Sequence, residues 1–470
     1  MCGPVATGRE DGRQGEVWVV GAGLAGCEVA LQLAGRGIPV RLFEMKPERR
    51  TEAQVNDELA ELVCSNSFRG AGHENAVGAI KEELRIAGSE LIAAADATAV
   101  PAGGALAVDR DRFSKRVGDR VRSAPNVELV HAEFEELPAP EVVDTVVLAT
   151  GPLTSPRLAQ RIEALCGGRE RLYFYDAIAP IVAAEGIDRQ IAFAASRYGK
   201  GEGDDYLNLP LDETAYGRFV AGLLEAEKVT PRDFEEARYF EGCLPIEVMA
   251  ARGPETLRFG CMKPVGLPDP RTGKEAHAIV QLRPENVDKT AYNLVGFQTR
   301  MKWGAQKALF QELPGLADVE FLRMGSIHRN TYIESPVLLD ESFRLRSRPQ
   351  VTFAGQITGV EGYVESIACG LLVGLFVAAR RRGATLPLPP PESTLGALHG
   401  HVLGTRKAPG TEKHPHVPSN IHWGLTPALG LRAKKRDRKR LMGERALAAC
   451  RAWWPEASIA VGPKERATRI

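Results

Sequence analysis

Two cysteines are set apart from the other six by their neighbours. Cys64 sits among small polar residues in Cys64-Ser65-Asn66-Ser67, and Cys243 sits in Glu241-Gly242-Cys243-Leu244-Pro245-Ile246-Glu247, between Gly and Leu-Pro and flanked by two carboxylates. A thiolate adds readily to an electron-poor carbon and leaves readily, so a cysteine in such a setting is a candidate for covalent catalysis. A single cysteine is more often a buried small hydrophobe, and Cys27 and Cys369, inside apolar helical patterns, are expected to be that. The eight cysteines, at 2, 27, 64, 166, 243, 261, 369 and 450, are dispersed, with no CxxC pair and no metal-ligand spacing. That distribution argues against a disulfide reductase or a zinc site and fits reduced thiols in a cytoplasm.

The other chemistry-bearing stretch runs from Val17 to Met45. The β-branched run Val17-Trp18-Val19-Val20 enters Gly21-Ala22-Gly23-Leu24-Ala25-Gly26, a helical apolar pattern follows, and a second apolar run, Val40 to Phe43, ends in Glu44-Met45. In a dinucleotide fold Gly21 makes the tight turn, Gly23 admits a pyrophosphate to the backbone, and Gly26 allows close helix–strand packing. The helix N-terminus then offers free N–H groups to phosphate. Glu44, eighteen residues after Gly26, is placed to accept hydrogen bonds from a ribose. A GxGxxG alone is weak; the preceding strand, the following helix and the acid together predict dinucleotide binding.

Elements that position these groups can be read outward from that unit. At 470 residues the chain is long enough for two or three domains. Its 44% hydrophobic and 26% charged residues are those of a soluble protein, and no apolar run is expected to cross a bilayer. A formal net charge of zero argues against a globally basic nucleic-acid binder while leaving local patches open. Residues 1–15 predict a disordered lead-in rather than a signal peptide, and 16–156 the first part of a Rossmann-like domain. Within it, Arg49 to Asn75 is an insertion beside the cofactor, Gly78 to Ala95 one helix, Pro101 to Arg110 a Gly-rich turn into a strand, and Asp111 to Arg122 a helix. The strands Val127 to His131 and Val142 to Thr150 follow.

The βαβ rhythm lapses over 157–336, which predicts an inserted α+β domain with strands at Asp204 to Pro210 and Ala278 to Leu282 and helices at Thr214 to Glu227 and Met301 to Gln311. Residues 337–386 return to the first domain: a strand at Val351 to Ala354, a turn at Gly355-Gln356-Ile357-Thr358-Gly359, and an apolar helix from Tyr363 to Ala379. A Pro-rich linker at Pro387 to Pro391 opens a C-terminal helical tail, 387–470. In that tail Arg432 to Arg440 carries seven basic residues in nine, a solvated face or a phosphate-binding one. Lys263, Arg283, Arg300 and Lys302, beside Trp303, are further candidates for contact with an unpaired base.

Taken together, the motifs carry a specific resemblance. GAGLAG, ELVCSNSFR (Glu61 to Arg69), VPAGGALAVDR (Val100 to Arg110), LATGPLTS (Leu148 to Ser155), FEGCLPIEVMAARG (Phe240 to Gly253), GCMKPVGL (Gly260 to Leu267), HRNTYIESP (His328 to Pro336) and GQITGVEGYVESIACGLL (Gly355 to Leu372) stand here in family order. Over about Val17 to Ala449 the chain resembles the folate- and FAD-dependent tRNA (uracil-5-)-methyltransferases, which make the ribothymidine of the T loop. The resemblance implies a two-dinucleotide-type FAD fold, FAD reduced by NAD(P)H, 5,10-methylenetetrahydrofolate as one-carbon donor, tRNA as partner, a cytoplasmic location, and neither membrane nor obligate protein partner.

It also implies roles. Cys64 and Cys243 fall on the family's two reactive cysteines, with Cys243 as nucleophile at uracil C6 and Cys64 as base or flavin-side partner, an order that could be reversed. Tyr363, after Gly362, is expected to lie over the flavin ring; Gly355 and Gln356 to meet the ribityl or pyrophosphate; Arg110 to reach a phosphate, unless it is tied up in an ion pair. His328-Arg329-Asn330 is a candidate to hold folate or RNA. The chain departs from the family at Thr51-Glu52-Ala53-Gln54, where a Pro-Ala-His-type run is usual, and keeps only an outline at Pro418 to Leu425. Three other readings stand beside this one. They are a flavin oxidoreductase without RNA, the larger flavoprotein that modifies the wobble uridine and needs a longer C-terminal region, and a non-enzymatic flavin-loaded tRNA chaperone.

Overall fold

A computed structural model describes residues 5–6, 15–167, 172–229, 244–406, 416, 418–430 and 433–464. Most of the expected lead-in, all of Cys243, and Arg432 therefore lie outside the described residues, as do the side chains of His328 and Arg329.

The Val17–Val20 strand is central in a five-stranded parallel sheet. The order is Val351–Phe353, Val146–Leu148, Val17–Val20, Val40–Glu44, Val127–His131. All five are parallel, and pairing of Val20 with both Phe43 and Leu148, and of Leu148 with Phe353, brings four strand ends level. Parallel sheets are buried on both faces, which is why these strands read as continuous apolar runs rather than alternating ones. The outermost strand comes from the return segment, so two neighbouring strands of this sheet lie some 200 residues apart in sequence.

The Leu24–Ala34 helix packs along the Tyr363–Arg381 helix. Gly370 is required there: a Cβ would lie 2.6 Å from the Ala25 carbonyl oxygen. The Tyr363–Arg381 helix corrects one expectation. With 19 residues and a mean hydropathy of 1.6 it is long and apolar enough to cross a bilayer, yet 89% of it is buried inside the protein. It is a core helix, apolar all round because it is covered all round.

Two further expectations are revised. The predicted helix from Gly78 to Ala95 is two, Ala76–Ile86 and Glu90–Ala97. Gly88, at φ +72°, turns the chain, and Ser89 Oγ accepts the Ile92 N–H to start the second. The expected C-terminal helical tail is, over Lys435–Val461, packed against the rest of the protein. The Lys435–Val461 helix sinks Cys450, Trp453, Ala457 and Val461 into the main core, and Gly443 lets it approach the His73 carbonyl.

Residues 181–323 build a second, antiparallel sheet of six strands with its own core. Its order is Phe193–Ala194, Leu207–Leu211, Ala278–Pro284, Ala291–Leu294, Ile181–Ala183, Phe321–Arg323. The strand pair Leu172–Ile178 and Ser326–Tyr332 carries the chain into this unit and back.

Candidate functional site: a dinucleotide cleft and a clamped cysteine loop

Gly21 follows its strand at φ +95°, and a Cβ there would lie 2.6 Å from the Ala149 carbonyl oxygen. A Cβ on Gly26 would stand 1.8 Å from the Gly21 carbonyl oxygen, so the helix can reach this depth only with glycine at that position. Gly23 differs: nothing lies within 4 Å of its Cβ direction. It caps the Leu24–Ala34 helix without a side-chain hydrogen bond, and no acidic residue stands in the first turn. The result is a bare helix N-terminus facing open space, the arrangement that suits a phosphate. Glu44 is buried; one carboxylate oxygen accepts the Ala22 N–H at 2.9 Å and the other the Lys46 N–H at 3.1 Å. The acid is thus oriented by the motif it serves.

A cleft opens at these strand ends, where ligands bind in open parallel sheets. Among the residues predicted to hold the cofactor, Gly21, Gly23, Leu24, Ala25, Glu44, Met45, Gly355, Gln356 and Tyr363 line it. Ala22, Gly26 and Gly362 stand behind the wall: Gly26 by packing, Gly362 by starting the Tyr363–Arg381 helix at φ +107°. The cleft also takes in Thr51, Ala53 and Gln54, the run that departs from the family pattern, and Ala149 to Ser155. The former lies in the insertion expected beside the cofactor, and the latter follows the predicted strand Val142 to Thr150. The place of the cleft at the strand ends, the bare helix N-terminus and the oriented acid fit FAD.

The cysteine loop lies at the edge of this cleft. Val63 lines it, and the N–H groups of Cys64 and Ser65 donate to Tyr363 Oη at 2.7 and 3.0 Å. Burial, then the neighbouring Cys64, raises the pKa of the Tyr363 phenol, so its oxygen receives these bonds as a neutral hydroxyl. The Tyr363 ring also meets Phe68 at 5.9 Å between centroids. The cysteine nominated by its polar neighbours and the tyrosine nominated as the flavin lid are therefore in direct contact, 299 residues apart in sequence.

Arg110 does not line the cleft. It is paired with Glu285 of the inserted unit at 2.7 Å and donates to the Leu62 carbonyl, so the ion-pair reading holds. Arg323 comes close enough that burial and then Arg110 lower its pKa. Arg283, an expected RNA contact, is buried and donates to Asn66 Oδ1 at 2.8 Å and Ser65 Oγ at 2.7 Å. It faces the cysteine loop rather than solvent. Lys302 is paired with Glu227 at 2.7 Å, whereas Trp303 is 67% exposed. Asp437 to Arg440 of the basic run are exposed on the first turns of the last helix.

The remaining described cysteines are poor nucleophiles. Burial pushes the thiols of Cys166 and Cys369 up to about 11 and that of Cys261 up to about 12, and raises Cys27 and Cys450 further. Cys64 and Cys261 are the half-buried cysteines among those described.

The architecture is that of a known class. Residues 16–385 match the family model described as Glucose inhibited division protein A, GIDA. The solved structure of Aquifex aeolicus GidA in its form II crystal superposes with a TM-score of 0.66 at 17% identity, covering 95% of this chain and 75% of that one. Nearer relatives narrow the class. The chain is 56% identical over 439 residues to methylenetetrahydrofolate–tRNA-(uracil-5-)-methyltransferase TrmFO of Geobacter sulfurreducens, covering 93% of this chain and 99% of that protein. It is 53% identical to the TrmFO of Myxococcus xanthus, covering 94% and 95%. The chain belongs to the TrmFO family, within the GIDA fold.

Proposed function

We propose that this chain methylates carbon 5 of a uridine in tRNA, with methylenetetrahydrofolate as one-carbon donor and FAD as bound cofactor. The observation that carries this is the 56% identity to a TrmFO over nearly the full length of both chains; the cleft and its cysteine loop supply the means. In finer detail, the substrate is the T-loop uridine at position 54, NAD(P)H is the electron source, and the enzyme works in the cytoplasm.

Residues of the chain divide the work. The N-terminus of the Leu24–Ala34 helix and Gly23 receive the pyrophosphate, Glu44 the ribose, and Gly355 and Gln356 the ribityl side. Bound FAD, once reduced, supplies the electrons that turn the transferred methylene into a methyl group. Uracil C5 becomes nucleophilic only after addition at C6, so the Cys243 thiolate adds there and forms an enolate. C5 then bonds to the methylene carbon of the donor; a base, assigned to Cys64, removes the C5 proton as the remaining carbon–nitrogen bond breaks and releases tetrahydrofolate, which leaves an exocyclic methylene on C5. Two electrons and a proton added to that carbon give the methyl group, and expulsion of the Cys243 thiolate restores the 5,6 double bond. Tyr363 holds the Cys64 backbone at the cleft edge throughout. Exposed cations at the start of the Lys435–Val461 helix and the Trp303 surface are assigned to the RNA.

The test is incubation of the flavin-loaded protein with unmodified tRNA, NAD(P)H and isotope-labelled methylenetetrahydrofolate, followed by RNA digestion. Label in 5-methyluridine, abolished by Cys243→Ala, is expected. An active Cys243→Ala protein would exchange the two cysteine roles. NAD(P)H oxidation without label would leave a flavin oxidoreductase.

A further inference from the structure

We propose that Arg283 is a positioning residue that ties the place of the Cys64 thiol to the inserted antiparallel unit. The kinetic part of this inference rests on the function proposed above; the structural part does not.

Cys64 lies in an irregular segment between Ala60, at φ +49°, and the Ser67–Gly70 strand, so no helix or sheet ladder sets its position. Side chains do so instead, from two sides. From the cofactor side, Tyr363 Oη takes the N–H groups of Cys64 and Ser65. From the inserted side, Arg283 at the end of the Ala278–Pro284 strand donates Nε–H to Asn66 Oδ1 and Nη2–H to Ser65 Oγ. Asn66 closes the bracket by donating Nδ2–H to the carbonyls of Val108, at 2.9 Å, and Pro284, at 3.0 Å.

Three properties make this a clamp rather than a chance contact. Asn66 is fully buried, and its amide is used at both ends, which leaves one orientation. Arg283 is 7% exposed, and the acceptors it meets here are neutral, while the nearby carboxylate of Glu285 goes to Arg110. A buried guanidinium is a costly way to make neutral hydrogen bonds unless fork geometry is what the site needs. Finally, both acceptors lie within two residues of Cys64, so a shift of the Ala278–Pro284 strand carries the loop with it. The inserted unit also contributes Leu244 onward, immediately after Cys243 in sequence. The strand holding Arg283 thus links the half of the protein that leads to one reactive cysteine to the loop that bears the other.

Positioning of this kind affects the reacting complex more than binding, since small misplacement of a reacting group costs rate rather than affinity. The test uses flavin-loaded full-length protein and three variants, Arg283→Met, Arg283→Lys and Asn66→Ala. The first readout is the iodoacetamide alkylation rate of Cys64, followed by peptide mass spectrometry. Arg283→Met should change it about tenfold, Arg283→Lys by less, and the Arg283→Met/Asn66→Ala double variant by no more than either single one. The second readout is turnover: kcat should fall at least about tenfold, with KM for tRNA within about twofold and flavin content unchanged. Wild-type alkylation rates in Arg283→Met, or additive effects in the double variant, would overturn the proposal, as would losses that track flavin content. If the wild-type protein does not methylate tRNA, the proposed function fails, while alkylation and its non-additivity still decide the clamp.

Discussion

The two units of this protein serve the site in different currencies. The parallel-sheet unit contributes backbone: a left-handed Gly21, a bare helix N-terminus at Gly23, and the level ends of four strands. The antiparallel unit contributes side chains: Arg283 reaches the cysteine loop, Glu285 pairs with Arg110, and Arg323 donates to the Ala53 carbonyl. A phosphate-binding wall is best made of main chain, because N–H groups at a helix end need no side-chain ordering. A loop that must be held yet respond to a second domain is better held by side chains, which can be released without unfolding a sheet.

The largest expected effect comes from adding one carbon to the backbone side. Gly26→Ala places a Cβ against the Gly21 carbonyl, where neither partner can move without disturbing the turn. Flavin content, read from the visible-to-ultraviolet absorbance ratio of purified protein, should fall at least about tenfold, a factor worth about 1.4 kcal/mol. Retention of normal flavin would break the view that this wall is built by packing.

On the side-chain side a smaller effect on flavin content is expected, and the loss falls on stability instead. Glu285→Ala leaves the Arg110 guanidinium, 11% exposed, without its carboxylate. Removing one member of a buried pair costs about 3 kcal/mol, to be read by denaturant titration. Flavin content should hold near wild type, which would sharpen the separation between the two units. Concurrent loss of flavin would erase it.

The effect with least bearing on flavin content concerns pH. Lys81 Nζ lies beneath the segment that follows the cysteine loop and donates to the carbonyls of Phe68 and Gly70, both at 2.7 Å. Burial, then Arg69, pushes its pKa down from 10.5 to about 7. Between those values the unfolded chain binds the extra proton, so this group's contribution makes stability rise with pH from about 7 to 10.5. Lys81→Met should flatten that part of the profile, and an unchanged slope in denaturation midpoints across the window would refute the assignment.

Legibility in the sequence followed the range of the interaction. The Gly21 to Glu44 unit was readable because strand, turn, helix and acid occur within 28 residues and each has its own local signature. The break at Gly88 was missed because apolar spacing continues on both sides of it, and one left-handed glycine outweighs that pattern. The burial of the Lys435–Val461 helix was missed because its charged N-terminal turns obscure the apolar face formed by Ala446, Cys450, Trp453 and Ala457. Arg283 was misread as a surface cation. Nothing in Gln-Leu-Arg-Pro says which way an arginine on a strand will face once two domains meet.

What the sequence determined by itself is therefore the dinucleotide motif, the nomination of Cys64 from its polar neighbours, and the family through its ordered motifs. Tertiary structure alone decided that Tyr363 holds the Cys64 backbone, that Arg110 pairs with Glu285, and that Arg283 brackets the cysteine loop. Helix and strand periodicity report each residue's relation to its own element. Contacts between residues 175 to 299 positions apart depend on how the elements pack, and no local pattern encodes that.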